Sequence, residues 1–188
     1  MKRNAIAQSY LDHILIALAA DDRGAPFRTF IDNWHAFRSG GDHVTGGDRA
    51  KWLNNPCAIA RARTLVAMPF ISCEAGTILA KAQTDAAGYR TCRKGKSSSV
   101  RLMVDHAVPL RQIVKMMFDP LQGEEVDRTR EGIKRHLERW YHLGLITAGE
   151  DALLRGKGFG SSMPDDWNRQ DPFWRYQAVG IAPSSADR

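Results

Sequence analysis

Apolar residues near the start of the chain recur at helical spacing. Ala7, Tyr10, Leu11, Ile14, Leu15 and Leu18 fall on one helix face. Asp21 to Pro26 breaks the stripe, and Pro26 suits the first turn of a new helix. Phe27, Phe30, Ile31, Trp34 and Phe37 then repeat at the same spacing. Two stripes joined by a short loop predict an antiparallel helical hairpin, with the aromatic stripe as its core. Ser39-Gly40-Gly41 ends that unit, and Gly46-Gly47 precedes a short helix through Trp52 and Leu53. Pro56 opens another, with Ile59, Ala62, Leu65 and Val66 on a face, and Pro69 ends it. Glu74 to Ala86 reads as a further helix.

The pattern then changes. Tyr89 to Cys92 and Val100 to Val104 read as two strands of a hairpin, turned by Gly95 and the run Ser97 to Ser99. Leu110, Ile113, Val114 and Met117 mark a helix, and Val126, Ile133, Leu137, Trp140 and Tyr141 a longer one beyond a loop around Pro120 to Gly123. Leu143 to Thr147 reads as a strand and Ala148 to Leu154 as a helical turn or two. Trp167, Phe173, Trp174 and Tyr176 are expected to dock the tail onto the core. The expected fold class is α+β, predominantly helical. A helical N-terminal region, 1–86, packs on a hairpin-plus-helix region, 87–188, with an aromatic-rich tail.

Composition narrows the class. The chain has 188 residues, 43% hydrophobic and 26% charged, which suits one globular domain or two small ones. No run approaches the roughly 18 apolar residues of a membrane helix. Lys2 and Arg3 precede the apolar run Ile14 to Ala20, the order of features in a signal peptide. Gln8, Tyr10, Asp12 and His13 interrupt that order, and the helix-face spacing is the stronger pattern. Cys57, Cys73 and Cys92 are odd in number and contain no Cys-x-x-Cys, which speaks against a disulfide framework or a paired-cysteine zinc site. Buried, reduced thiols in a cytoplasmic protein without a membrane partner are the expectation.

The net charge is +6, and it is not spread evenly. Residues 1–88 carry 10 basic and 8 acidic side chains, while 89–104 carry Arg90, Arg93, Lys94, Lys96 and Arg101 with no acid. Residues 105–123 balance, 124–150 carry 5 basic against 6 acidic, and 151–188 balance. A basic loop with Gly and Ser can lie along phosphates, because its cations neutralise charge and its small residues allow close approach. These five residues are therefore candidate nucleic-acid contacts.

The hairpin runs into Asp105-His106-Ala107-Val108-Pro109. This motif resembles the first motif of the HNH, or His-Me finger, endonucleases, in which an acidic residue or His is followed by His, two variable residues and Pro at a strand end. The resemblance implies His106 as the general base on water and Asp105 as a ligand of a divalent metal, Mg²⁺ or Mn²⁺, beside the scissile phosphate. An imidazole suits proton transfer near neutral pH, and a carboxylate is the hard ligand such a metal prefers. The finger would close with a second strand and a helix. No Asn lies between Pro109 and Asn168, so the Asn of the second motif is missing. Gly144 to Leu153 is the strand-then-helix candidate, with Glu150 or Asp151 as second metal ligand. His136 and His142 are weaker candidates.

Two other readings stand beside metal-dependent phosphodiester hydrolysis. Thr129 to Leu137, then Leu143 to Thr147, resembles the end of a winged helix-turn-helix, with Arg128, Arg130, Lys134, Arg135 and Arg139 toward DNA. Glu124, Glu125, Asp127, Glu131 and Glu138 interleave with those cations, as on a solvated helix. The third reading is a small protein-interaction module, such as a mobile-element inhibitor of a nucleoprotein complex. It rests on the aromatic tail and Arg175, residue types enriched at interface anchors.

Overall fold

The computed structural model describes residues 3–38, 69–84, 101–121 and 124–184. Among these the fold is α+β and predominantly helical, as expected, with one three-stranded sheet. The chain divides into two compact units, Met1–Asp48 with Leu110–Tyr141, and Arg49–Pro109 with His142–Arg188. This differs from the expected break between 86 and 87. Hydrophobic spacing locates helices but is silent on which distant helix covers a given stripe, so a sequential division was the default.

The first unit is helical. Helices α1 (Arg3–Ala19) and α2 (Phe27–Arg38) form the expected hairpin. Asp21 takes a positive φ of 49° in the turn, a conformation that Asp tolerates better than most residues. Leu11, Ile14 and Leu18 of α1 and Phe27, Ile31 and Trp34 of α2 are buried. The segment Leu110–Tyr141 supplies the rest of this core. It contributes Ile113, Met116 and Met117 from one helix (Leu110–Phe118) and Ile133, Leu137 and Trp140 from another (Arg130–Trp140). Thr129 caps the latter by accepting from the Gly132 amide.

The second unit is built on the sheet. Strand β1 (Phe70–Ile71) is followed by α3 (Cys73–Thr84), and β2 is Leu102–His106. The helices Leu110–Phe118 and Arg130–Trp140 are α4 and α5 in chain order. Then come β3 (Leu143–Thr147), α6 (Ala148–Gly156) and the short α7 (Trp174–Gln177). The strand order is β1-β3-β2, with β1 parallel and β2 antiparallel to β3. Strand β3 is central and buried throughout, as an unbroken apolar run predicts. Ala75 and Leu79 of α3 cover Leu102 and Leu145 on one face. Leu154 of α6 with Tyr176 and Ile181 of the tail covers Phe70 and Ile146 on the other.

The strand before the motif begins two residues later than expected, and its described partner is β3. The expected partner Tyr89 to Cys92 lies outside the described residues, as do the short helices expected around Trp52 and Ile59. Strand β1 was not anticipated, because two residues carry no readable alternation. The tail docks through the buried Tyr176, while within the tail Trp167 donates its ring N–H to the Asp171 carbonyl and Trp174 donates its own to the Asp166 carboxylate. Cys73 is an exposed free thiol rather than a buried one, at the first position of α3 with its Sγ 3.1 Å from the Pro183 carbonyl, while Cys57 and Cys92 lie outside the described residues. Among the described residues no helix is long and apolar enough to cross a membrane.

Candidate functional site

The motif sits at the end of β2. Asp105 pairs with Gly144 and His106 with Leu143 across the antiparallel ladder. Strand, strand and helix follow one another as β2, β3 and α6, with α4 and α5 inserted in the sequence between the two strands. Neighbouring residues of a strand point to opposite faces. Asp105 therefore shares the face of Met103, under Tyr176 and α6, and His106 shares the face of Leu102 and Val104, under α3.

The chain's tail reaches Asp105. Its Oδ2 accepts from the Tyr176 hydroxyl at 2.9 Å and from Nη2 of Arg175. Arg175 is 1% exposed and donates further to the His106 carbonyl, to the Ala107 carbonyl (2.8 Å) and to the Phe159 carbonyl (2.6 Å). A buried guanidinium is tolerated only when paired and hydrogen-bonded, and this one has both. Burial pushes the Tyr176 phenol well above its ordinary range and the Asp105 charge adds to this, against the opposing charge of Arg175, so the hydroxyl stays a donor. Gly144 makes room for the ring: a Cβ there would stand 2.8 Å from the Tyr176 hydroxyl oxygen.

The other proposed metal ligands are engaged elsewhere. Glu150 is buried, and its Oε2 accepts from the Ser72 hydroxyl and from the Thr147 amide, both at 2.7 Å. Thr147 accepts in return from the Glu150 amide at 3.1 Å, so the pair forms a capping box that starts α6. Asp151 pairs with Arg155 one turn along the same helix at 3.0 Å. Asp105, Glu150 and Asp151 thus have three separate sets of partners. Among the described residues no group of three His, Cys, Asp or Glu is placed to hold a metal. Asp105 Oδ2, one of the oxygens that would bind the divalent metal the resemblance implies, already faces the Arg175 guanidinium and the Tyr176 hydroxyl.

Of the basic segment, Arg90, Arg93, Lys94 and Lys96 lie outside the described residues. Arg101 is half-buried just before β2, its carbonyl accepts from the Ala148 amide at the start of α6, and its Nε is buried with no hydrogen-bond partner among the described residues. On α5 the cations of the winged-helix reading turn to acids. Arg130 meets Asp12 at 2.6 Å, Arg135 meets Asp127 at 3.0 Å, and Lys134 lies 3.5 Å from Glu131. Strand β3 passes directly into α6 at Thr147, so the strand return of a wing does not follow it. His136 is buried with Nε2 3.1 Å from the Ile113 carbonyl, and burial lowers its pKa.

Sequence reasoning had marked Arg175 and Tyr176 only as interface and docking residues, and had not singled out Ser72. A cation set between Trp174 and Tyr176 in an aromatic-dense tail was the available signal, since such a cation needs buried acceptors if the tail docks. No protein-family model, curated protein or solved structure matches this chain.

Proposed function

We propose that this protein binds nucleic acid, DNA or RNA, through the phosphate backbone, and that it does so without metal-dependent hydrolysis. The grip is the basic segment of Arg90, Arg93, Lys94, Lys96 and Arg101. One observation carries the reading: five cations without an acid run into β2, whereas the acid that follows them, Asp105, has its own internal counter-ion in Arg175. The first acid after the segment is thus already neutralised from within the fold. Cations on a Gly- and Ser-rich stretch suit phosphates, which carry no sequence information, so binding across sequences should be nearly uniform.

The test is fluorescence anisotropy with labelled duplex and single-stranded oligonucleotides over a range of salt. If all five cations meet phosphates of duplex DNA, log K against log salt has a slope of about −4.5. Replacing Arg90, Arg93, Lys94 and Lys96 by Gln should flatten that slope to about −1 and abolish most of the affinity. Undiminished binding by that variant overturns the assignment. Mg²⁺-dependent cleavage that disappears in His106→Ala overturns the non-hydrolytic part.

A further inference from the structure

Four oxygens converge at the end of β2. Asp105 contributes a carboxylate oxygen, His106 and Ala107 the next two main-chain carbonyls, and Phe159 a carbonyl from the turn after α6. A carboxylate with several carbonyls is the donor set a hard cation takes. The cation held here is the guanidinium of Arg175, which uses all three of its nitrogens. The shape of the cage favours that choice. A divalent ion draws its oxygens to one centre at about 2.0–2.6 Å. These oxygens instead address donors spread across a planar fork, which only a guanidinium presents. Three consecutive residues, 105 to 107, turn an oxygen toward it, so the bound cation also sets the path of the chain as it leaves the strand.

The geometry points to the end of β2 as a guanidinium receptor whose resident ligand is the chain's own Arg175. The site takes a planar, five-donor cation in preference to a divalent metal or an ammonium ion.

Removing the resident ligand tests it. Arg175→Ala in the full chain opens the cage, and thermal unfolding is followed with millimolar methylguanidinium, methylammonium, Mg²⁺ or Mn²⁺, far below denaturing concentrations. The expected result is a melting temperature several degrees below wild type, with at least half of the loss recovered by methylguanidinium and none by the other three. Wild type is moved by none of them. Recovery by Mg²⁺ or Mn²⁺, or a folded variant that methylguanidinium leaves unchanged, overturns the proposal. A second measurement needs no variant: Mn²⁺ is titrated into wild type while the amide resonances of Asp105, His106 and Ala107 are watched. Unbroadened signals support the guanidinium receptor, and selective broadening at these three overturns it.

Discussion

In the helical unit Arg130 meets Asp12 with the two side chains 52% and 42% exposed, while in the sheet unit Arg175 meets Asp105 with the guanidinium 1% exposed. Both pairs join residues far apart in sequence, and both look alike as letters. Water separates them energetically. An exposed pair gains little, because solvent screens it and two long side chains must be held still, so its worth is about 0–1 kcal/mol. Arg175 has already lost its hydration while Asp105 keeps a part-exposed side chain, and removing the acid strands the buried guanidinium at a cost of about 3–5 kcal/mol. Positive residues in this chain therefore fall into at least two kinds, those that decorate a helix and one that holds a strand end.

The largest expected effect breaks the buried side of this contrast. Asp105→Ala leaves Arg175 with carbonyls alone and should cost about 3–5 kcal/mol in urea unfolding. A loss below about 1 kcal/mol would place Asp105 with the surface pairs, within their usual range.

Next comes the glycine beneath the site. Gly144→Ala sets a Cβ 2.8 Å from the Tyr176 hydroxyl oxygen and 3.1–3.2 Å from ring carbons. The ring is rigid and fully buried, so overpacking should cost about 1–3 kcal/mol. Tyr176→Phe removes the nearest of these atoms and one hydrogen bond to Asp105, the latter worth about 1 kcal/mol. The two changes together should cost less than the sum of each alone, since the second relieves part of the first. Strict additivity in a double-mutant cycle would disprove the close approach.

The helical unit has its own buried titratable group. Burial lowers the pKa of His136 below its ordinary 6.5, with the Arg139 charge adding and the Ile113 carbonyl opposing. The unfolded chain therefore takes up this proton more readily than the folded one. The stability tied to neutral His136 is complete above the unfolded pKa and is lost as pH falls through 6.5 toward the folded value. His136→Gln should flatten the pH dependence of unfolding between about pH 7 and pH 5. An unchanged profile would mean that the imidazole is solvated.

Much of this architecture was legible in the pattern of residues, and the reasons are local ones. The stripe from Ala7 to Leu18 and the aromatic stripe from Phe27 to Phe37 each bury their own face, so spacing alone revealed the hairpin. The run Leu143 to Thr147 marks a strand leading into a helix, whereas Glu150, a metal-ligand candidate by sequence, belongs to the capping box that starts that helix. The site was legible only in part. Asp105-His106 does end a strand, but the partners that decide what Asp105 does lie 70 and 71 residues away. A motif of adjacent residues also hides the alternation that sends those two side chains to opposite faces. Long-range pairing was likewise beyond the pattern for β1, which is two residues long and recognisable only by its partner β3.

The smallest expected effect sharpens the exposed side of the contrast. Arg130→Ala removes the partner of Asp12 and one cation from the face of α5. Because both side chains are about half exposed, the loss in stability should stay within about 1 kcal/mol and shrink further in high salt. The same variant bears on nucleic acid. If α5 were a recognition helix, losing Arg130 would weaken binding and shift preference among sequences. If the grip is the basic segment before β2, affinity should hold within about twofold and the salt slope should not change, since no phosphate contact is lost. A slope that drops by about one unit would move the interface from the basic segment to the helix.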